Sequence, residues 1–222
     1  MKSTQSLKYS SLVAEILTCE KCNLCKTRTQ AVPGEGSLKA KIMFVGEGPG
    51  KQEDLKGTPF CGASGKLLDA LLQSIDLKRE DVYITNIVKC RPPNNRDPFD
   101  NEKDACSPFL NKQIEQINPL IIATLGRHSM NFFLPQLKIS EMHGKPLRRK
   151  GQIYIPLYHP AVGLYRASMK EELLKDFQIL KKVINKLEKE KTDNEHEEYK
   201  QFPLEEFFYQ KAGIDRYKTN NS

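Results

Sequence analysis

The side chains with the most chemical reach in this chain are its cysteines and the polar segments that interrupt its apolar runs. Cys19 and Cys22 form a C-x-x-C pair, Cys90 directly follows an apolar run, and Cys106 lies 16 positions further on. The segment between the last two, RPPNNRDPFDNEKDA, is rich in turn formers, so the chain can fold back and gather all four thiols. Four converging thiolates would hold zinc or an iron–sulfur cluster, and the spacing allows both. Buried free thiols beside a redox pair are the alternative. Cys25 and Cys61 stand outside this pattern. A second segment, Gly46-Glu47-Gly48-Pro49-Gly50, lacks the spacing of a dinucleotide fingerprint, and Gly65-Lys66 lacks the earlier glycine and the Ser/Thr of a phosphate loop. What remains is a tight turn carrying Glu47, followed by Glu53-Asp54, Pro59-Phe60 and the glycines at 62 and 65. Such glycines let backbone approach a ligand closely, and Phe60 offers a flat face.

These residues need elements to position them. Apolar periodicity predicts helices over Ser11–Leu17, Lys66–Ile75, Asn101–Ile117 (with Pro108 near an end or at a kink), Gly126–Leu134 and Ser168–Leu187. It predicts strands over Lys41–Val45, Val82–Val88, Leu120–Leu125 and Gln152–Leu157, the last entered through a turn at Arg148–Gly151. Apolar strands alternating with helices imply an α/β protein, with a parallel sheet covered on both faces. Ligands bind such sheets at the carboxyl ends of the strands. The chemistry is therefore expected in Gly46–Gly50, Asn86–Arg96, Gly126–Ser129 and His159-Pro160.

Composition sets the wider limits. The 222 residues are 38% hydrophobic and 28% charged, which fits a globular core with a tail. No apolar run approaches the roughly 20 residues that span a bilayer, and the N-terminus lacks a secretory apolar core, so a cytoplasmic protein is expected. In that setting the six cysteines read as ligands or free thiols rather than disulfides. Net charge is +7, split as +9 over residues 1–185 and −2 over 186–222. A basic body suggests a polyanionic partner, with nucleic acid first among the candidates; a lysine-rich solvated surface is the plainer explanation.

Taken together, the motifs resemble those of the type 4 uracil-DNA glycosylases, the iron–sulfur group related to a phage polymerase segment. The likeness is carried by Cys19-x-x-Cys22-Asn-Leu, Arg28-Thr29, Gly34-Glu35-Gly36, FVGEGPGKQED (44–54), GTPFCGASGKLLD (57–69), VYITNIVKCRPPNNRDP (82–98), Cys106 and His159-Pro160. It runs from about Cys19 to the terminal helix. The resemblance implies a three-layer α/β/α fold around a four-stranded parallel sheet, and a 4Fe–4S cluster on Cys19, Cys22, Cys90 and Cys106. It implies hydrolysis of the N-glycosidic bond of deoxyuridine in single- or double-stranded DNA, on a base flipped out of the stack. Phe60 would stack on uracil. Asn86 would accept from N3–H and donate to O4, a pattern that cytosine reverses. His159, helped by the Gly48 amide, would stabilise charge on O2. Glu47 would orient water, Glu53 would guard the pocket near C5, and Leu164 and Arg166 would wedge the helix and hold phosphate. His128, His143 and His196 are read as bystanders. Other readings are an iron–sulfur DNA-binding module without catalysis, a relative that captures uracil-DNA covalently through a histidine in an inserted basic loop, and a zinc nuclease. The sequence has no such insertion before His159 and lacks a His/Asp metal cluster.

The expected organisation is a monomeric glycosylase domain over 1–187, a polar linker over 188–200 and a tail over 201–222. In the tail, Gln201, Leu204, Phe207 and Phe208 spell Q-x-x-L-x-x-F-F, which looks like the box that docks on PCNA-type sliding clamps. One helical turn would put Leu204, Phe207 and Phe208 on a single apolar face, with Gln201 bonding beside it. Packing of these aromatics back on the body is the alternative.

Overall fold

The computed structural model describes residues 4–194. In chain order its elements are α1 (Thr4–Leu17), β1 (Glu35–Gly36), β2 (Ile42–Gly46), α2 (Lys51–Lys56), α3 (Ala63–Gln73), β3 (Tyr83–Asn86), α4 (Asp100–Ile117), β4 (Ile121–Leu125), α5 (Arg127–Phe133), α6 (Ile139–Met142), β5 (Leu147–Arg149), β6 (Gln152–Leu157), α7 (Val162–Tyr165) and α8 (Ala167–Asn194). The sheet order is β1-β3-β2-β4-β6-β5. The four expected strands form its parallel centre, β3-β2-β4-β6. Two short antiparallel edges, β1 and β5, extend it.

Every residue of β2, β3 and β4 is buried, as expected where both faces of a parallel sheet are covered. Alternate residues feed opposite layers. Met43, Val45, Tyr83 and Ile122 pack with Leu12 and Ile16 of α1 and with Phe109, Leu110 and Ile117 of α4. Ile42, Phe44, Ile84, Ala123 and Ile155 pack with Leu68, Leu71 and Leu72 of α3 and with Leu173, Phe177 and Leu180 of α8. The result is the three-layer α/β/α arrangement expected from the sequence.

Several boundaries differ from expectation, each for a local reason. Pro108 sits inside α4 and cannot donate to the carbonyl of Asp104, but the Ser107 hydroxyl donates to that carbonyl at 3.0 Å, so the helix continues. Arg148 and Arg149 belong to β5 rather than to a turn, and Lys150-Gly151, both at positive φ, make the reversal. Helix α8 runs to Asn194, so the first part of the stretch expected as a linker is helical, and Lys41 pairs with Glu188 there at 2.7 Å. The rest of that stretch and the clamp-box residues Gln201, Leu204, Phe207 and Phe208 lie outside the described residues. Among the described residues, no helix is long and apolar enough to cross a membrane.

The chain leaves β2 to form β3 on one side and then crosses back to β4 on the other. The strand order therefore reverses at β2, and a crevice opens at its carboxyl end.

Candidate active site

A cavity of about 360 Å³ occupies that crevice, within the range of small-ligand sites. Its lining includes Glu47, Gly48, Glu53, Phe60, Asn86 and His159, all six residues expected to act on the base. They come from the loop after β2 (Glu47 and Gly48), from α2 and the turn that follows it (Glu53 and Phe60), from the end of β3 (Asn86) and from the loop after β6 (His159).

Register places Asn86, the last residue of β3, directly beside Gly46, the last of β2. A Cβ on Gly46 would stand 2.3 Å from Asn86 Oδ1 and 2.7 Å from the Phe60 ring, so only glycine fits between these two side chains. Asn86 is buried, and its Oδ1 has no hydrogen-bond partner among the described residues. Leaving a buried acceptor unpaired costs about 1–3 kcal/mol, so the orphan marks a place for a ligand donor. The Asn86 backbone is held from behind. Lys89 Nζ donates to the Asn86 carbonyl at 2.7 Å, to Thr85 Oγ1 at 2.6 Å and to Gln113 Oε1 at 2.7 Å. Lys89 is fully buried, and that burial lowers its pKa to about 8.

Phe60 is buried at φ +49°, a conformation that is uncommon for a bulky residue. Such strain persists where neighbours enforce it. Arg79 does so by donating to the carbonyls of Pro59 (2.5 Å) and Phe60 (3.2 Å), while pairing with Glu35 (2.6 Å) and Asp69 (2.9 Å). The Phe60 carbonyl also rests on Gly65, where a Cβ would come within 1.6 Å of it. From the other side, Glu53 Oε1 accepts from the amides of Cys61 and Gly62, each at 3.0 Å. Glu53 thus braces the Phe60 loop as well as lining the cavity.

The Phe60 and His159 rings face each other, 5.6 Å between centroids and 29° between planes. The amide of Ala161 donates to His159 Nδ1 at 3.2 Å. Burial pushes the pKa of His159 down, opposed by the charge of Glu53, so the ring is neutral near pH 7. With Nδ1 an acceptor, the neutral ring carries its proton on Nε2, leaving an N–H donor. Glu47 is shifted the other way. Burial first, and then the charge of Asp97, raise its pKa to about 7, against the pull of Arg127 and Lys103.

Leu164 and Arg166 are not among the cavity-lining residues. Leu164, 44% exposed, sits on α7, the single turn that follows His159-Pro160, and Arg166 comes directly after that turn. Both lie on the surface downstream of the cavity rather than in it. Pro92, Asn95 and Arg96, from the segment Asn86–Arg96 expected to carry chemistry but given no role from sequence, also line the cavity, as does Pro98 just beyond it. Arg96 is clamped there by both oxygens of Glu102, at 2.8 and 2.7 Å, and stacks on Phe99 at 3.8 Å.

Away from the cavity, Cys19, Cys22, Cys90 and Cys106 gather around one small void between α1, α4 and the end of β3. Cys25, expected outside the group, lines the same void, whereas Cys61 does not. No carboxylate or imidazole lines it, and three cations do: Lys21, Lys89 and Arg28, whose Nη1 donates to Cys90 Sγ at 2.9 Å. The Lys89 amide donates to Cys106 Sγ at 3.3 Å. An all-sulfur donor set beside cations and amide donors suits an anionic thiolate-ligated centre.

A polar, aromatic-walled cavity at the order reversal of an α/β sheet is a small-ligand site, and the chain belongs to the uracil DNA glycosylase superfamily, whose family model matches residues 33–188. Within that family it is 49% identical to the type-4 uracil-DNA glycosylase of Archaeoglobus fulgidus over 184 residues, covering 79% of this chain and 92% of that one. It is 45% identical to the type-4 enzyme of Thermotoga maritima over 173 residues, covering 76% of this chain and 90% of that one. A DNA polymerase of Bacillus phage SP01 shares 34% identity over 152 residues, covering 68% of this chain but only 16% of the polymerase.

Proposed function

We propose that the protein is a DNA-repair glycosylase that hydrolyses the N-glycosidic bond of deoxyuridine in DNA and leaves an abasic site. The observation that carries this reading is the orphaned Asn86 Oδ1, buried at the floor of a cavity whose other walls are an aromatic ring, a neutral histidine and a perturbed carboxylate. In the flipped state, uracil N3–H supplies the missing donor to Oδ1, and the amide nitrogen donates to O4. Phe60 covers one face of the ring. As the C1′–N1 bond breaks, its electron pair passes into the base and charge grows on O2. The Nε2–H of His159 and the amide of Gly48 meet that charge. Water adds to C1′, oriented by ionised Glu47, which takes its proton. Glu53 holds the Phe60 loop in place and borders the pocket. Leu164 and Arg166, on and just after the exposed turn, would meet the DNA strand.

The experiment is a base-release assay on matched single-stranded oligonucleotides carrying uracil or cytosine. Wild-type protein is expected to release uracil only. Asn86→Asp should lose uracil release by about 10²-fold or more, because uracil O4 then faces a carboxylate, and should gain release of cytosine, whose N4 amine that carboxylate accepts. An Asn86→Asp variant with full uracil activity would show that Asn86 does not read the base edge.

We also propose a 4Fe–4S cluster on Cys19, Cys22, Cys90 and Cys106. The all-sulfur lining and the cations beside it support it. When bound, the cluster supplies a cross-link between the α1 loop, the end of β3 and α4, behind the Asn86 strand.

For the tail, the proposal is docking on a PCNA-type sliding clamp through Gln201, Leu204, Phe207 and Phe208, supported by the sequence pattern alone. Docking would raise the enzyme's effective concentration at replicated DNA. Titrating such a clamp with intact protein should give saturable binding, and Phe207→Ala/Phe208→Ala should weaken it by at least about 10-fold. Equal binding by both proteins, or none by the intact one, would sink this part. Uracil release from a free oligonucleotide should be unchanged in the double variant.

A further inference from the structure

His128, read from sequence as a bystander, stands beside Glu47, which lines the cavity. It lies on α5, which begins immediately after Gly126 at the end of β4. Gly126, at φ +93°, packs close to His159, since a Cβ there would lie 3.2 Å from His159 Cβ. That contact brings α5 against the active-site wall. His128 Nδ1 is 3.9 Å from Glu47 Oε1, and His128 Nε2 is 3.2 Å from Asp97 Oδ2. Glu47 Oε1 is itself buried with no hydrogen-bond partner among the described residues.

We propose that His128 is a positioning residue for Glu47: set between two carboxylates, it presents Nδ1–H to Glu47 and holds that group in the ionised, water-orienting form. The tautomer follows from a neighbour. Arg127 Nε donates to His128 Nε2 at 2.9 Å, so a neutral ring keeps its proton on Nδ1, the nitrogen that faces Glu47. Burial lowers the pKa of His128, which agrees with a neutral donor rather than an ion pair. The separation of 3.9 Å exceeds a hydrogen bond, and catalytic contacts of this kind tighten when substrate fills the site. The charged groups facing Glu47 are Asp97 from the loop before α4, Lys103 on α4 and Arg127 on α5, with His128 beside them. Asp97 alone of these disfavours ionised Glu47, and His128 stands between the two.

The role rests on the glycosylase reading, and the test separates the two. Single-turnover uracil release is measured against pH for wild type, His128→Ala, His128→Asn and Asp97→Asn, with Glu47→Gln as the reference that removes the acid limb. Ionised Glu47 is the active form, so the wild-type rate should rise with pH through about 7. Losing the donor favours protonated Glu47. His128→Ala should therefore move the acid limb to higher pH by about half a unit to one unit and slow the plateau by roughly 10-fold. His128→Asn, whose amide N–H stands where Nδ1–H stood, should restore both. Asp97→Asn removes a repelling charge and should move the limb to lower pH. A His128→Ala variant with unchanged limb and rate overturns the role. So does one that is slower with an unmoved limb and is not rescued by Asn. Absence of uracil release by wild type overturns the role and the glycosylase reading together.

Discussion

His159→Ala should slow single-turnover uracil release by about 10²–10³-fold, the usual cost of one oxyanion donor, while DNA affinity changes by no more than about two-fold. The size of the effect follows from the state of the ring. It is half-buried, neutral, and bonded through Nδ1 to the Ala161 amide, so its Nε2–H is a donor held in place before reaction. Such a donor strengthens only as charge accumulates on the leaving base, which places its contribution in the transition state rather than in binding. Because the ring is already neutral near pH 7, its removal should leave the acid limb set by Glu47 where it was. A variant with normal rate but weakened binding would move His159 from chemistry to docking.

The second large effect lies outside the cavity. Cys19→Ala or Cys106→Ala should lose the broad absorbance near roughly 400 nm expected of a Cys-ligated iron–sulfur centre, together with protein-bound iron. Loss of a cross-link between three segments should cost about 3 kcal/mol, as for a covalent bridge closing a comparable loop. For a chain of this size that lowers Tm by roughly 6–12 °C. Uracil release should fall as well, because the cluster segment adjoins Lys89, whose ammonium holds the Asn86 carbonyl. Cys61→Ala, away from the void, should keep its iron. Cys25→Ala is the sharper arm, because Cys25 lines the same void as the other four. Retained iron in that variant keeps Cys19, Cys22, Cys90 and Cys106 as the ligand set, and iron loss would put Cys25 in it.

Much of the site was legible because parallel strands are buried on both faces and announce themselves as apolar runs. KIMFV and LIIATL could be placed without any partner in view, and the polar residues that end such runs had to fall at one edge of the sheet. Glu47, Asn86 and His159 were found that way. Edge strands of two or three residues carry no period, so Glu35–Gly36 and Leu147–Arg149 left no trace. Lys89 and Gln113 were invisible for another reason. Each sits among ordinary polar neighbours in sequence, and its burial arises only when β3 and α4 pack together. His128 falls in Gly126–Ser129, a segment expected to carry chemistry, yet it reads as a bystander because a lone histidine on a short helix has no local mark. Its meaning comes from Glu47 and Asp97, which lie 81 and 31 positions earlier in the chain.

The most direct measurement of the central claim is the wild-type arm of the base-release assay. Excess protein is mixed with a single-stranded oligonucleotide holding one deoxyuridine, and free uracil and the abasic product are followed together. The expected result is release of uracil and formation of abasic sites in equal amounts to completion, with none from the matched cytosine or thymine strands. Tight binding of the uracil strand with no free base, or release of thymine at a comparable rate, would contradict it.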